Sequence, residues 1–432
     1  MSLCSIPEQS PRRQAWGQCL RGLLLATLGV GGAGSASAVV ELSVQLDSSW
    51  ASDSNPLRLP AGADTQALLG RSGQGDSVMS VDLRAAMIVP FGSDDTRLEL
   101  KAAEGKRQYR QQTQLDHEIH QFDARLFWQL SPLLRGRLSY GTDDRLYQPQ
   151  NAIQVGRDLM RQQQGSSEFA LRITEDLSLP FTLERASVRH ENPQNQFLDR
   201  NDQALQLALR YTSPLGSSLS VGSRRAAIDY PNRGAADAAI LDTHYTDRLY
   251  FADVDWVYSP LTRVGGRLGW LQRQYGTLGQ NDFDHRLLTL RASYQPSPLS
   301  RFDVEWGRRL YDSGTPSALY YLASGLRLGL DWRVTELTRL RLMAAHDRQQ
   351  NQGAAVAGAP LGQPDNQVNR LGASIDYAIS QGWRLYAEGL RDRFTTVGGG
   401  TSIQQNVLRL GLEYTYENVA GTAARAGLGR RP

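Results

Sequence analysis

From Val39 to Tyr416 the chain repeats segments of about 10–15 residues in which every second position is apolar or aromatic. Leu326-Arg327-Leu328-Gly329-Leu330-Asp331-Trp332-Arg333 shows the rule: Leu, Leu, Leu and Trp point one way, Arg, Gly, Asp and Arg the other. A strand has a side-chain period of two, so the pattern predicts two-faced strands. The charged face is as regular as the apolar one. That regularity predicts lipid on one side and water on the other.

Alternation and turn chemistry place strands at 39–51, 77–90, 95–109, 117–131, 133–147, 165–178, 180–191, 202–213, 216–229, 246–259, 261–275, 285–296, 299–312, 322–334, 337–350, 367–380, 382–396 and 404–416. The reading is all-β: a transmembrane antiparallel up-and-down β-barrel of about 18 strands, with 16 left open. Joints after even strands are short, as at Ser131-Pro132, Leu179-Pro180, Ser213-Pro214-Leu215, Ser259-Pro260 and Ser380-Gln381-Gly382. Joints after odd strands are longer, the largest near 52–76, 148–164, 230–245 and 351–366. Short periplasmic turns and long outer loops put both termini in the periplasm of a Gram-negative cell. Aromatic girdles are expected at both rims. Near the short turns lie Trp128, Tyr211, Trp256, Tyr258, Tyr294, Trp332 and Trp383; near the long loops lie Trp50, Tyr109, Tyr147, Tyr275, Tyr311 and Tyr321.

The first 38 residues break the rhythm. Arg12, Arg13 and Arg21 precede a short apolar run, Leu23 to Val30, and Ala36-Ser37-Ala38 forms an A-x-A site, which together predict a secretory signal peptide over 1–38. The run is far short of the roughly 20 residues a membrane helix needs. The expected organisation is therefore a signal over 1–38, an outer-membrane barrel over 39–416 and a flexible periplasmic tail over 417–432. Both cysteines, Cys4 and Cys19, fall in the signal, so the mature chain has no disulfide. Without Arg12, Arg13, Arg21 and Glu8, the 47 basic and 44 acidic side chains become 44 and 43. That balance gives nucleic-acid binding no support. The mean hydropathy of −0.43 fits a membrane barrel, because half of every strand and all outer loops face water.

Assigning the apolar set to lipid leaves a charged inward set. It comprises Asp123, Arg125, Arg135, Arg137, Asp253, Asp255, Arg263, Arg267, Arg291, Asp303, Glu305, Arg327, Asp331, Arg333, Arg339, Arg341, Arg384, Glu388, Arg409 and Glu413. Arg at the bilayer midplane costs roughly 2–4 kcal/mol, so these residues are expected to line a lumen. Only Lys101 and Lys106 are lysine, and the remaining basic residues are arginine, the side chain suited to bidentate pairing with carboxylates. Two readings follow: an arginine track for an anionic or hydroxyl-rich solute, or a cross-strand salt-bridge mesh that stiffens the wall.

Catalytic and metal chemistry find little purchase. His117, His120, His190, His244, His285 and His346 all fall at the expected outer rim. His117 and His120 are three apart, on opposite faces of a strand, which makes them poor zinc partners. There is no Gly-rich phosphate cradle and no G-x-S-x-G elbow. No catalytic residue, metal site or cofactor is assigned. The loop 351–366 is rich in small residues and proline and is a candidate lid.

Val40-Glu41-Leu42-Ser43-Val44-Gln45-Leu46 followed by Asp53-Ser54-Asn55-Pro56-Leu57-Arg58-Leu59 resembles the opening of the β-barrel porins encoded in exopolysaccharide loci, the EpsL type. Trp128-Gln129-Leu130-Ser131-Pro132 with Gly136-Arg137-Leu138-Ser139-Tyr140 looks like them too. The resemblance implies an outer-membrane barrel that works with a polysaccharide secretion complex, and it carries over no catalytic residue. Such barrels often end on an aromatic residue, whereas here sixteen residues follow Tyr416. The leading expectation is a conduit or accessory for exopolysaccharide export. Rivals are a general or sugar-selective diffusion porin, a barrel enzyme of lipid or polysaccharide modification, and a surface receptor. The expected partners are outer-membrane lipid, the outer-membrane assembly machinery, and polysaccharide with its secretion complex.

Overall fold

The computed structural model describes residues 39–91, 93–148, 156–312, 319–352, 365–398 and 400–428. The expected signal peptide and most of the candidate lid at 351–366 lie outside them. Eighteen antiparallel strands close into one ring. They are β1 (Glu41–Asp53), β2 (Asp76–Phe91), β3 (Ser93–Tyr109), β4 (His117–Ser131), β5 (Leu134–Leu146), β6 (Leu159–Arg172), β7 (Leu177–His190), β8 (Arg200–Thr212) and β9 (Ser218–Asp229), then β10 (His244–Ser259), β11 (Thr262–Tyr275), β12 (Phe283–Ser297), β13 (Ser300–Asp312), β14 (Tyr320–Arg333), β15 (Thr338–Gln352), β16 (Asn366–Ser380), β17 (Trp383–Thr396) and β18 (Ser402–Glu417). Each strand pairs with its neighbours in sequence. The ring closes where β1 meets β18, from Ser43 opposite Glu417 to Asp53 opposite Val407. Closure removes both sheet edges, which is what a strand structure needs in hydrocarbon.

The two faces separate cleanly. Leu46, Trp50, Leu205, Leu207, Leu209, Leu408, Leu410 and Leu412 stay exposed on the outside of the wall, at 39–51 %. Their strand neighbours Gln45, Asp47, Ser49 and Glu413 are almost fully covered inside. An apolar surface of this extent needs a lipid solvent. No helix among the described residues is long and apolar enough to cross a membrane, so the crossing belongs to the strands.

Where an inward side chain must lie flat, a glycine makes room on the next strand. Tyr386 of β17 lies over Gly411 of β18, where an added Cβ would sit 2.2 Å from the ring, and its hydroxyl reaches Asp47 of β1 at 3.2 Å. On the outer face the Trp128 ring covers Gly136 in the same way.

One hairpin departs from expectation. The sixth strand is 159–172 rather than 165–178, and its turn is 173–176 rather than Leu179-Pro180. The run Arg161-Gln162-Gln163-Gln164 is polar on both faces and so reads as loop, yet it pairs along its length with β5 and β7. Pro180 lies inside β7. It pairs with Ala170 of β6, and the ladder to β8 skips from Ser178 to Phe181, since proline has no N–H to give. Three aromatics expected in the long-loop girdle also turn away from lipid. Tyr275 is 8 % exposed in an inner cluster, Tyr109 packs against Leu57, Leu59 and Leu115, and the Tyr147 ring meets His190 edge-on.

A longer period is superimposed on the hairpins. Asp116, Asp199, Asp282 and Asp365 recur at a constant interval of 83 residues, each directly before a strand: β4, β8, β12 and β16. In the first three, the carboxylate accepts the N–H of the residue that ends the preceding strand: Tyr109 at 2.7 Å, His190 at 2.7 Å and Tyr275 at 2.8 Å. A second aspartate set serves the same loops from the previous hairpin. Asp76 accepts from Gln111 and Gln112, Asp158 from Asn192, and Asp242 from Thr277 and Leu278. Strands β2 to β17 thus form four copies of a four-strand unit, with β1 and β18 closing the ring. In the fourth copy Asp365 pairs with Arg348 instead.

Leu410 lies midway along β18 and is 47 % exposed on the lipid face. Leu410→Arg is expected to cost roughly 2–4 kcal/mol of folding stability in bilayers. Arg409→Leu, one residue away on the inner face, should cost far less. Urea titration of the two variants folded into lipid vesicles measures the difference.

Candidate functional site

The site is the lumen, and three inward segments shape it. The first is the loop between β1 and β2. The Asn55 side chain accepts the Leu59 N–H at 2.8 Å and donates to the Leu59 carbonyl at 2.8 Å and to the Gln404 carbonyl at 3.1 Å. Arg58 is held at φ 53°, an uncommon conformation for a residue with a Cβ, and Pro60 bridges to Ile403. That twist aims the Arg58 guanidinium at Asp392 of β17, 3.2 Å away, and at Gln405 of β18. The segment Asp53-Ser54-Asn55-Pro56-Leu57-Arg58-Leu59 is therefore a lock that folds this loop onto the inside of the wall.

The second segment is the top of the β13–β14 hairpin. The β12–β13 ladder stops at Leu288 opposite Arg308, although β12 begins at Phe283 and β13 runs to Asp312. Freed from β12, the hairpin leans across the long-loop mouth. The Asp312 carboxylate accepts from Arg273 of β11 at 2.6 Å, from the Tyr245 hydroxyl of β10 at 2.7 Å and from Arg200 of β8 at 3.0 Å. Arg273 is 3 % exposed, pairs also with Asp247, and lies 3.7 Å over the Tyr245 ring. Tyr320 stacks on Phe283 at 4.0 Å, and Leu322 is buried against Leu241 and Leu319. Leu241 ends a short helix, α1 (Ala235–Leu241), in the loop after β9, and Arg233 pins that loop by donating to the Leu241 carbonyl at 2.7 Å.

The third segment falls in the tail expected over 417–432. Residues Asn418–Leu428 carry a one-turn helix, α2 (Thr422–Ala426), inside the short-turn mouth. Ala423, Ala426 and Leu428 pack on Ala86 and Ile88, the inward residues at the end of β2. The apolar side chains Ala423, Ala426 and Leu428 gain burial only by turning into the barrel.

Between these segments the wall encloses three spaces, of about 520, 810 and 660 Å³, the first two meeting at Glu388 and Arg409. The structure places 17 of the 20 inward candidates on them. Asp123 and Arg125 line the first. Asp255, Arg263, Arg291, Asp303, Glu305, Arg327, Asp331, Arg339, Arg341, Glu388 and Arg409 line the second. Arg135, Arg137, Asp253 and Arg267 line the third. Arg333, Arg384 and Glu413 lie towards the short-turn end, off the cavity surfaces, with Arg384 paired to Glu413.

Most of these charges are paired. Arg263 holds Asp255 at 2.5 Å, Arg125 holds Asp123 at 3.0 Å, and Arg409 holds Glu388 at 3.3 Å. Arg339 pairs with Asp331, Arg341 with Asp376 and Arg137 with Glu168. Glu305 bridges Arg309 and Arg327. Apart from Arg341–Asp376, which is largely covered, these partly exposed pairs contribute about 0–1 kcal/mol each, so their main effect is to fix side-chain positions on the wall. Arg135 and Arg267 have no carboxylate within 4.0 Å among the described residues; Arg267 lies over the Phe251 ring at 4.2 Å. Among the described residues no group of three or more His, Cys, Asp or Glu is set to hold a metal ion.

Sequence reading missed the residues that narrow the mouths: Arg58, Arg200, Tyr245, Arg273, Asp312 and Tyr320. The signal that marks them is aromatic and charged residues crowding the strand ends beside long loops.

Fold and lumen together define a closed transmembrane β-barrel with a charged interior. No protein-family model matches the chain, and no curated protein matches it. The resemblance to exopolysaccharide-locus barrels is accordingly not supported. Among solved structures the chain is similar to OccK2 (OpdF) of Pseudomonas aeruginosa in complex with glucuronate, at 11% identity, covering 88% of this chain and 98% of that one, with a TM-score of 0.49. It is also similar to OccAB3 of Acinetobacter baumannii, at 9% identity, 88% and 99% coverage and a TM-score of 0.47. The siderophore receptor PirA of Pseudomonas aeruginosa follows at 10% identity, 89% and 81% coverage and a TM-score of 0.44.

Asp312→Asn should weaken the hold on Arg273 and Arg200, which keep Asp247 and Asp202 as partners, at a cost of about 1.5–3 kcal/mol, the range for hydrogen bonds to charged groups. The hairpin top is then expected to release from β8 and β11, seen as faster proteolysis between β13 and β14 while the barrel keeps its strand signal. A second outcome concerns pH. Burial would raise the carboxyl of Asp242, but N–H donors from Leu278, Thr277, Thr243 and His244 hold it below its usual value. A depressed carboxyl stabilises above its unfolded pKa of about 3.9 and loses that stabilisation as pH falls through its native value. Hydrogen exchange at Thr277 and Leu278 should therefore keep its protection to below pH 4 and lose it only at stronger acid.

Proposed function

We propose that the chain is a passive outer-membrane channel of a Gram-negative cell for small hydrophilic solutes, with both termini in the periplasm. The observation that carries this reading is a water-accessible lumen of paired charges inside an apolar wall, narrowed to spaces of about 520–810 Å³. Spaces of that order suit single small molecules. An extended polysaccharide would require the first loop, the β13–β14 hairpin and the C-terminal segment to withdraw together. The lumen geometry therefore favours the diffusion channel over the expected export conduit.

The charge on the wall suggests which solutes pass more readily. The first space balances five basic residues against five carboxylates. The second carries seven arginines against five carboxylates, and the third five arginines against three. Excess positive charge in low-dielectric surroundings raises the local concentration of anions. The arginine track and the salt-bridge mesh are then one arrangement: pairing fixes the wall, and the unmatched arginines set the sign of its field.

Planar-bilayer recording across a KCl gradient tests the proposal. The purified chain should conduct and show an anion-preferring reversal potential near 0.1 M salt, where the Debye length is about 10 Å. The preference should fade at 1 M, where that length is about 3 Å. Arg135→Glu with Arg267→Glu should invert the preference with little change in stability. A chain that inserts but never conducts would sink the channel reading, and cation preference in the unmodified chain would sink its anion leaning.

A further inference from the structure

We infer that Asn418–Leu428 is a plug, a C-terminal segment seated in the short-turn mouth that sets how far the lumen is open at that end. The seat is built rather than incidental. The Glu417 carboxylate accepts the N–H groups of Gly421 at 2.8 Å and Ala423 at 2.5 Å, so the residue that ends the last strand caps the helix that follows it. Gly421 takes φ 81°, the turn that lets the chain reverse into the barrel. Asn418 fastens the reversal to the first strand, accepting the Leu42 N–H at 2.7 Å and donating to the Val40 carbonyl at 2.8 Å.

Two further contacts to one carboxylate hold the segment once inside. Arg425 reaches Glu41 of β1 at 2.6 Å, and the hydroxyl of Thr422, a fully buried residue, approaches the same carboxylate at 3.4 Å. Ala426 is 2 % exposed against Ala86, which is 0 % exposed. Gly427 and Leu428 then form part of the surface of the first cavity, beside the Arg84, Lys101 and Asp82 side chains of β2 and β3. The plug thus closes one side of a conducting space.

The attachment is weak by design of its chemistry. The apolar contact is two alanines and one leucine, and the Arg425–Glu41 pair is half-exposed, so the seat is small beside the strand ladder it rests on. Among the described residues the anchoring contacts of the plug fall mainly on β1, β2 and β18, at the closing seam. Withdrawal would leave the ring of hydrogen bonds intact and widen only the mouth.

The inference rests on the channel reading for its conductance readout but not for its second readout. Arg425→Glu in the full chain sets like charges against each other at Glu41. Single-channel conductance is expected to rise roughly 1.5- to 3-fold, because current follows the open section of an aqueous lumen. The swap E41R/R425E should return it to the original level. A chain ended after Glu417 should show the larger level without relying on charge. Independently, Ala426→Cys should react slowly with a water-soluble maleimide, and adding R425E should speed the reaction roughly five- to tenfold, the order expected when one exposed ion pair becomes a repulsion. Unchanged conductance and unchanged labelling with R425E overturn the plug, as does a swap that fails to restore either. A chain that never conducts counts against the channel reading alone, and the labelling still decides the plug.

Discussion

Every backbone N–H and C=O in a lipid-embedded strand needs a partner on an adjacent strand, and a flat sheet always leaves two rows unpaired. The antiparallel seam between β1 and β18 removes those rows. Once the ring is closed, the rest of the structure has few choices. Side chains alternate across the wall, so any residue set that can face lipid obliges the intervening set to face the lumen. Leu408, Leu410 and Leu412 on one side of β18 therefore imply Arg409 and Glu413 on the other. The inward charges then find carboxylate or guanidinium partners across one or two strands, because the same geometry that excluded them from lipid spaced them evenly.

A ring this wide leaves its interior unfilled, and the chain itself supplies the filling. Three segments turn inward, and each is held by a different device. The first loop uses an asparagine that mimics a backbone pair and an arginine with a twisted φ. The β13–β14 hairpin uses an aspartate shared by Arg200, Arg273 and Tyr245. The C-terminal segment uses a glutamate that caps its own short helix. Aspartates dominate the long-loop rim for a related reason. Loops there leave strand-end N–H groups without ladder partners, and a carboxylate accepts one or two of them at once. The 83-residue recurrence of Asp116, Asp199 and Asp282 is that solution repeated in the first three four-strand units, while Asp365, at the same interval, takes Arg348 instead.

The wall was legible in the sequence because its rule is local. The fourth strand falls at 117–131 as read, and the others fall within about two residues except where the alternation itself fails. Gln162, Gln163 and Gln164 are polar on both faces and look like loop; only their ladders to β5 and β7 show a strand. Pro180 looks like a turn and sits in β7 because its missing N–H costs one pair on one side. The interior was less legible. Tyr275 and Tyr109 lie at strand ends where girdle aromatics are expected, but they share the inward parity of Arg273 and Arg107 and pack inside. The interval between the aspartates is plain in the residue numbers, yet reading hairpin by hairpin does not reveal it.

On the channel reading, stiffness and permeability are coupled through the same side chains. A guanidinium held by a carboxylate neighbour cannot swing to block the lumen, so pairing keeps the spaces open while cancelling most of their charge. The residual field then depends on the few arginines left over, such as Arg135 and Arg267, rather than on the total. Mutating a paired arginine removes a strut and exposes a carboxylate in one step, which changes both shape and sign. Mutating an unpaired one changes the sign alone. On the channel reading, the division between paired and unpaired arginines is therefore the physical basis on which selectivity can vary without loss of the fold.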